Sequence, residues 1–409
     1  MGLPRERFSA FVDLARATFG VPAAIAMGLG LLLGLGLPEI DAWLDVRVPL
    51  FVFSTQEAAR GMLETIATAT VAVAGISISV TIVAFTLSAN QLSPRVLRSF
   101  RRDLTSQLTL AAFLGTFIYC LAVLVRLGSL GPARVPNLSI ALAVVLAVAA
   151  FALFAAFVGH IANMLQPSSV IASVAKDARP GFSRPYPAGI GNDPADERLA
   201  RSQVEGLMEV RPMTVVRSES QGFLVTVRGG ELIALAAEHG ALVQQRARVG
   251  EYVLPGQVLA RAWFGEHGQP DGVERRIAAH FELGPQRTLP QDPGFPVRQL
   301  ADIALKGLSP GINDPTTAIN AMEAMVAGLI EFVDGEHPAE IRVDEDGAPR
   351  LIAAVADLDQ LVDMGFGQVA VFARSDPTAM ARLRELLLTL SEHARTRGLA
   401  HRDFLPVLG

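Results

Sequence analysis

Thr65-Ile-Ala-Thr-Ala-Thr-Val-Ala-Val-Ala-Gly-Ile-Ser-Ile-Ser-Val-Thr-Ile-Val-Ala-Phe-Thr-Leu-Ser-Ala-Asn-Gln91 runs without a single charged side chain. As a helix it is long enough to cross the ~30 Å hydrocarbon layer of a bilayer, and this reading decides the class of the N-terminal half. The stretch is also studded with hydroxyls. At ~100° per residue they sort into two stripes. Thr65, Thr68, Ala72, Gly75, Ser79, Val83, Thr86 and Asn90 form one; Thr70, Ser77, Thr81 and Ser88 form the other, roughly opposite. Each stripe is a candidate for a wet cavity or a close helix contact. The first supplies the pore-lining candidates Thr65, Thr68, Gly75, Ser79, Thr86 and Asn90.

The composition agrees with a membrane protein. Of 409 residues, 51% are hydrophobic and 18% charged, and mean hydropathy is +0.38. Charge is sparse before about residue 165 and ordinary after it, so the chain divides into a membrane half and a soluble half. A net charge of −5 gives no reason to expect nucleic acid. Cys120 is the only cysteine, which excludes an internal disulfide and a cysteine-cluster metal site. It reads as a small core residue.

Four segments, residues 19–37, 64–87, 107–127 and 138–160, have the length and apolarity of transmembrane helices. Arg5, Arg7 and Arg16 precede the first span, and Arg95, Arg98, Arg101 and Arg102 follow the second. Arg47 and Arg60, then Arg126 and Arg134, lie in the opposite loops. The bias favours a cytoplasmic N-terminus and, after four spans, a cytoplasmic soluble half. The segment 38–60 reads as a short interfacial connection. Glu57, Arg60 and Glu64 share a helix face at the outer mouth, either as an ion-pair set that holds the helix end or as a charged ring at a pore entrance. Gly30 and Gly34 form a GxxxG pair suited to close helix packing, and Arg126 and His160 read as interfacial anchors.

The expected organisation is a four-helix transmembrane domain (1–164), a connector (165–212), a small β-rich module (213–270) and an α+β cytoplasmic domain (271–409). In the module, Phe223-Leu-Val-Thr-Val, Leu232-Ile-Ala-Leu, Ala241-Leu-Val and Gln257-Val-Leu-Ala-Arg-Ala-Trp-Phe are short runs separated by glycine turns, which suggests a small β-barrel or sandwich. The Val249-Gly250 to Gly256 spacing looks like a lipoyl-type hairpin. With Lys176 and Lys306 as the only lysines, nothing there can carry a prosthetic group, and no cofactor is expected.

Further on, Arg287-Thr-Leu-Pro-Gln-Asp292-Pro leads to a helix over 296–306 carrying Arg298, Asp302 and Lys306 at i,i+4 spacing. Leu308-Ser-Pro-Gly-Ile-Asn-Asp314-Pro then opens another helix, with aspartate suited to its N-cap and proline to its first turn. Arg287, Asp292, Arg298, Asp302, Ser309, Asn313 and Asp314 are the candidates for a cytoplasmic pocket or interface taking a small anion or a partner loop. Capping alone also explains Ser309, Asn313 and Asp314. His280, His393 and His401 are too scattered to suggest a metal site.

The segments Arg287–Pro293 and Ala304-Leu-Lys-Gly-Leu-Ser-Pro-Gly-Ile-Asn-Asp-Pro-Thr-Thr-Ala318, with Leu87-Ser-Ala-Asn-Gln-Leu-Ser-Pro-Arg-Val-Leu97, resemble the DUF2254 family of uncharacterised bacterial membrane proteins. The resemblance covers nearly the whole chain. It implies a bacterial inner-membrane protein and brings no activity with it. No nucleophile–base pair, P-loop, dinucleotide fingerprint or metal cluster points to an enzyme. The expectation from the residues is a homo-oligomeric channel for ions or small solutes, with the second span lining the path. The alternative is a membrane-anchored cytoplasmic sensor or scaffold that binds a small ligand. A secondary transporter is less favoured, because no span carries a central Asp, Glu, Lys or Arg.

Overall fold

The computed structural model describes residues 20–44, 55–91, 104–129, 135–183, 190–265, 268–289, 291–335, 337–398 and 403–408, without the side chains of 42–44, 88–91 and 164. Of the arginines used to orient the chain, only Arg60 and Arg126 fall among these residues. The chain folds as two compact units, Met1–Val170 and Ile171–Gly409.

The first unit holds α1 (Val21–Leu44), α2 (Gln56–Gln91), α3 (Leu104–Ser129) and α4 (Asn137–Met164). Each overruns the apolar window read from the sequence, because backbone hydrogen bonding continues where hydropathy ends. The largest difference is at the connection between the first two helices. Instead of ending at Leu37, α1 runs through Pro38 to Leu44. Proline is tolerated inside a helix where nearby donors satisfy the carbonyls it leaves without a partner. Here Arg126 Nε donates to the Leu35 carbonyl at 3.1 Å, and the same guanidinium pairs with Glu39.

Helix α3 is the most buried of the four and packs against the other three. The Gly30/Gly34 pair lies against it. A Cβ at Gly34 would sit 2.6 Å from Ala122 Cβ and 2.7 Å from the Tyr119 carbonyl, and one at Gly30 would collide with the Gly115 carbonyl. Small residues here let two backbones touch. Leu63, Phe113, Tyr119, Ile140 and Phe157 fill the centre, with Cys120 buried among them.

Helix α5 (Pro167–Ser183) begins at the end of the first unit and runs into the second, where α6 (Glu197–Val210) precedes β1 (Met213–Arg217), β2 (Gly222–Val227), α7 (Gly229–Glu238), β3 (Leu242–Gln245), β4 (Tyr252–Val253), β5 (Val258–Trp263), α8 (Val273–Ala278) and β6 (Phe281–Gly284). Then follow α9 (Gly294–Gly307), α10 (Pro315–Asp334), β7 (Ile341–Val343), β8 (Pro349–Ile352), α11 (Leu358–Ala373) and α12 (Pro377–Thr396). One sheet has the order β1-β5-β3-β8-β7, antiparallel except for the parallel β3–β8 pair; the other has the order β4-β2-β6.

The expected barrel-like module is corrected at three points. Leu232-Ile-Ala-Leu lies in α7, not in a strand. The β4 and β5 segments of the expected hairpin belong to different sheets: β4 pairs with β2, whereas β5 pairs with β1 and β3. The strands do not close into a barrel, and the larger sheet is completed by β7 and β8 from the C-terminal part of the chain.

Alternation along these strands builds two cores. Leu242, Trp263, Ile341 and Ile352 face Ala200 and Val204 of α6, while Val243, Ala262 and Leu351 pack with Leu224, Leu232, Phe264 and Ile277. Beside the sheets lies a helical group, α9–α12. Its α10 is one of five helices among the described residues that are long and apolar enough to cross a membrane, the others being α1–α4. The apolar side of α10, including Met322, Met325 and Phe332, is buried in the second unit, and the ring of Phe182 presses on Gly328. Its carboxylates make ion pairs, Glu323 with Arg382, Glu331 with Arg179 and Asp334 with Arg397, and Asp334 also lies 3.0 Å from His393 Nε2.

Candidate functional site

The two stripes of α2 face different surroundings. Thr70 and Ser77 are buried on the side whose neighbours Leu63, Ala67 and Ala74 pack on α3 and α4. Thr65, Thr68, Ala72, Gly75, Ser79, Val83 and Thr86 are all exposed. Glu57, Gly61 and Glu64 continue that exposed row toward the helix start, where Arg60 Nε donates to Glu64 Oε1 at 2.8 Å. A Cβ added at Gly61 or Gly75 would meet nothing within 4 Å. The side chains of Ser88 and Asn90 lie outside the described residues.

The hydroxyl bonds seen on α2 run back to carbonyls of the preceding turn: Thr65 to Gly61 at 2.7 Å, Thr70 to Ile66 at 2.8 Å and Ala67 at 3.0 Å, Ser77 to Val73 at 2.8 Å, Ser79 to Gly75 at 3.0 Å, Thr81 to Ser77 at 2.8 Å and Thr86 to Ile82 at 2.9 Å. This use of the proton satisfies a polar side chain without a second helix. It leaves the hydroxyl oxygen as an acceptor toward whatever lies outside.

A cleft of about 370 Å³ opens in the second unit between the two sheets and α9 and α11. At one side Arg287 grips Asp292 through two bonds, Nε to Oδ2 and Nη2 to Oδ1, each 2.7 Å. Asp292 is only 2% exposed. Gly250, at φ +88°, gives the pair its room: a Cβ there would strike the Asp292 carboxylate and lie 2.7 Å from Arg287 Nη2. Gln291 takes φ +62°, a left-handed conformation, and its Oε1 accepts from the Val227 N–H at 3.1 Å.

The other candidates in the second unit do not line this cleft. Arg298 and Asp302 pair along α9 at 3.2 Å, and Arg298 also reaches Gln368 at 3.1 Å. Ser309 donates to the Lys306 carbonyl at 2.6 Å, Asn313 adopts φ +50°, and Asp314 caps α10. The Asp314 carboxylate accepts from the Thr317 hydroxyl at 2.5 Å and from the Thr317 N–H at 3.0 Å. Those bonds hold its carboxyl below the ordinary aspartate value. Three of the candidates thus serve a tight helix–turn–helix, and a Cβ at Gly307 would come 2.8 Å from the Asp314 carbonyl. Among the described residues no three His, Cys, Asp or Glu side chains are grouped to hold a metal.

The family described as "Predicted membrane protein (DUF2254)" matches residues 16–389. The chain belongs to the DUF2254 family. It is 28% identical over 383 residues to the uncharacterized proteins Mb1321c of Mycobacterium bovis and Rv1290c of Mycobacterium tuberculosis, covering 92% of this chain and 71% of each relative. No solved structure matches the chain.

Two polar features of this DUF2254 protein had no clear sequence signal. Asp41 is 4% exposed and accepts the Ser139 N–H at 3.1 Å. Arg342 is also buried, donating to the carbonyls of Ile190 at 2.9 Å and Gly191 at 2.7 Å and pairing with Asp193. Each ties together segments distant in sequence, and nothing local to either residue announces the partner.

Proposed function

We propose that this DUF2254 protein is the subunit of an oligomeric channel in the bacterial inner membrane. In this reading α1–α4 span the bilayer, with the N-terminus and the second unit in the cytoplasm, and α2 lines a path shared between copies. One observation carries it: the exposed row of α2 begins with Glu57 and Glu64 and continues through Thr68, Ala72, Gly75, Ser79 and Thr86. Water and permeant ions can bond the acceptor oxygens of such a row, which lipid tails cannot.

The interior of a single subunit is filled by Phe113, Tyr119 and Phe157, so a path would run between subunits around an axis. The hydroxyl oxygens, their protons engaged with the backbone, present acceptors, and the carboxylates stand at one end. That combination suits cations over anions.

Purified protein in planar bilayers tests the reading. Cation current is expected, reduced by Ser79→Leu and by Thr86→Leu, which replace an acceptor with a bulky apolar group. Correctly folded oligomer that stays silent across voltage and pH counts against it. The second reading, a membrane-anchored ligand-binding sensor, draws its support from the cleft beside Arg287 and Asp292.

A further inference from the structure

The chemistry of the cleft can be read from which polar atoms are already used. Both Asp292 oxygens accept from Arg287 at 2.7 Å. Gln291 Oε1 accepts from Val227 N–H at 3.1 Å, Gln245 Oε1 from Ala354 N–H at 3.4 Å, and Gln360 Oε1 from the Arg248 guanidinium. Glu251 accepts from the Arg248 N–H at 3.1 Å and from Gln257 at 2.8 Å, and Asp357 accepts from Asp359 N–H at 3.2 Å at the start of α11. Each of these side chains therefore already spends an oxygen on a neighbour.

The donors are less committed. Because the amide oxygens of Gln291 and Gln360 each face a donor, their orientation is fixed with the NH2 group on the other side. Arg248 is exposed, and its guanidinium meets a neutral amide, not a carboxylate. Asp292 is neutralised by Arg287, the Asp357 carboxylate is partly offset by the positive end of α11, and both Glu251 oxygens are taken up by the Arg248 N–H and Gln257. Val249, Leu361 and Met364 supply apolar wall. The volume falls in the ~300–1,000 Å³ range of small-molecule sites.

We propose that this cleft binds a small organic anion, an anionic oxygen group on a short apolar body. Arg248 and the amide NH2 groups of Gln291 and Gln360 meet the anion, and Val249, Leu361 and Met364 meet the body. The inference is independent of whether α2 conducts.

Calorimetric titration of the full chain in detergent, with hexyl phosphate, hexanoate and hexanol as probes, tests it. At least one anion gives saturable binding and hexanol none; which anion binds more tightly assigns phosphate or carboxylate. Arg248→Gln weakens that binding about tenfold, the size of one charge-assisted hydrogen bond, and Gln360→Leu weakens it too. Arg246→Gln, outside the cleft, leaves it unchanged. Heat that does not saturate with either anion, hexanol binding as tightly as the anions, or equal affinity in wild type and Arg248→Gln overturns the proposal.

Discussion

Asp41 near the end of α1 accepts the backbone N–H of Ser139 in the first turn of α4, 3.1 Å from its Oδ2. The N-cap residue of α4 is Pro136, which makes no side-chain capping bond of its own. One helix thus supplies the cap that another lacks, and in doing so fixes the end of α1 beyond Pro38. Tyr119 reinforces the same turn by donating its hydroxyl to the Ser139 carbonyl at 2.8 Å.

Asp41→Ala is therefore expected to lower stability by about 1–2 kcal/mol, the usual cost of a lost cap, with the buried N–H left without that acceptor. Thermal unfolding in detergent checks it. Asp41→Asn, which keeps an acceptor oxygen, should lie closer to wild type.

Gly34 and Gly75 are both membrane-helix glycines with opposite surroundings. Leucine at Gly34 would drive into Ala122 and the Tyr119 carbonyl, so Gly34→Leu should destabilise the first unit by about 1–3 kcal/mol or more. A Cβ added at Gly75 would meet nothing within 4 Å in the subunit. Gly75→Leu should leave the subunit fold intact and lower the oligomeric mass measured in detergent. Unchanged mass would argue that this face meets only lipid.

The Arg287–Asp292 pair is expected to respond sharply to loss of one partner. Asp292→Ala removes the carboxylate from a mostly buried guanidinium and should cost about 3 kcal/mol, measured by denaturant unfolding of the second unit's signal. Gly250→Ala should cost a similar amount by a different route, since it strains φ +88° and intrudes on the same carboxylate.

Asp314 predicts an acid limit. Its carboxyl is held below the ordinary value in the folded chain by the Thr317 hydroxyl and backbone N–H. Its contribution is therefore fully present above the unfolded aspartate value, ~3.9, and is lost as pH falls through the lower folded value. Between neutral pH and acid, wild type should lose stability that Asp314→Asn has already lost. Superimposable acid profiles for the two proteins would contradict this role.

Much of the architecture follows from hydropathy and capping. The apolar windows mark four membrane-capable helices, and Asp314-Pro315 announces α10. What was hidden depends on partners. Leu232-Ile-Ala-Leu is a short apolar run, and such runs do not distinguish a strand from a buried helix; Gly229-Gly230, read as a turn, opens α7. The parallel pairing of Val243 with Leu351 joins distant segments, and no local pattern encodes it. The hydroxyl pattern leaves the two faces of α2 equivalent, and the packing of Ala67 and Ala74 against α3 and α4 turns the Thr65–Thr86 stripe outward.

The most direct measurement is the current through reconstituted Ser79→Cys protein before and after a charged, water-soluble thiol reagent. The native Cys120 is buried, so wild type supplies an unreactive background. If α2 lines a shared aqueous path, cation current flows in both proteins and the reagent suppresses it only in Ser79→Cys. Folded oligomers that never conduct, or a Ser79→Cys current that the reagent leaves untouched, would contradict the account.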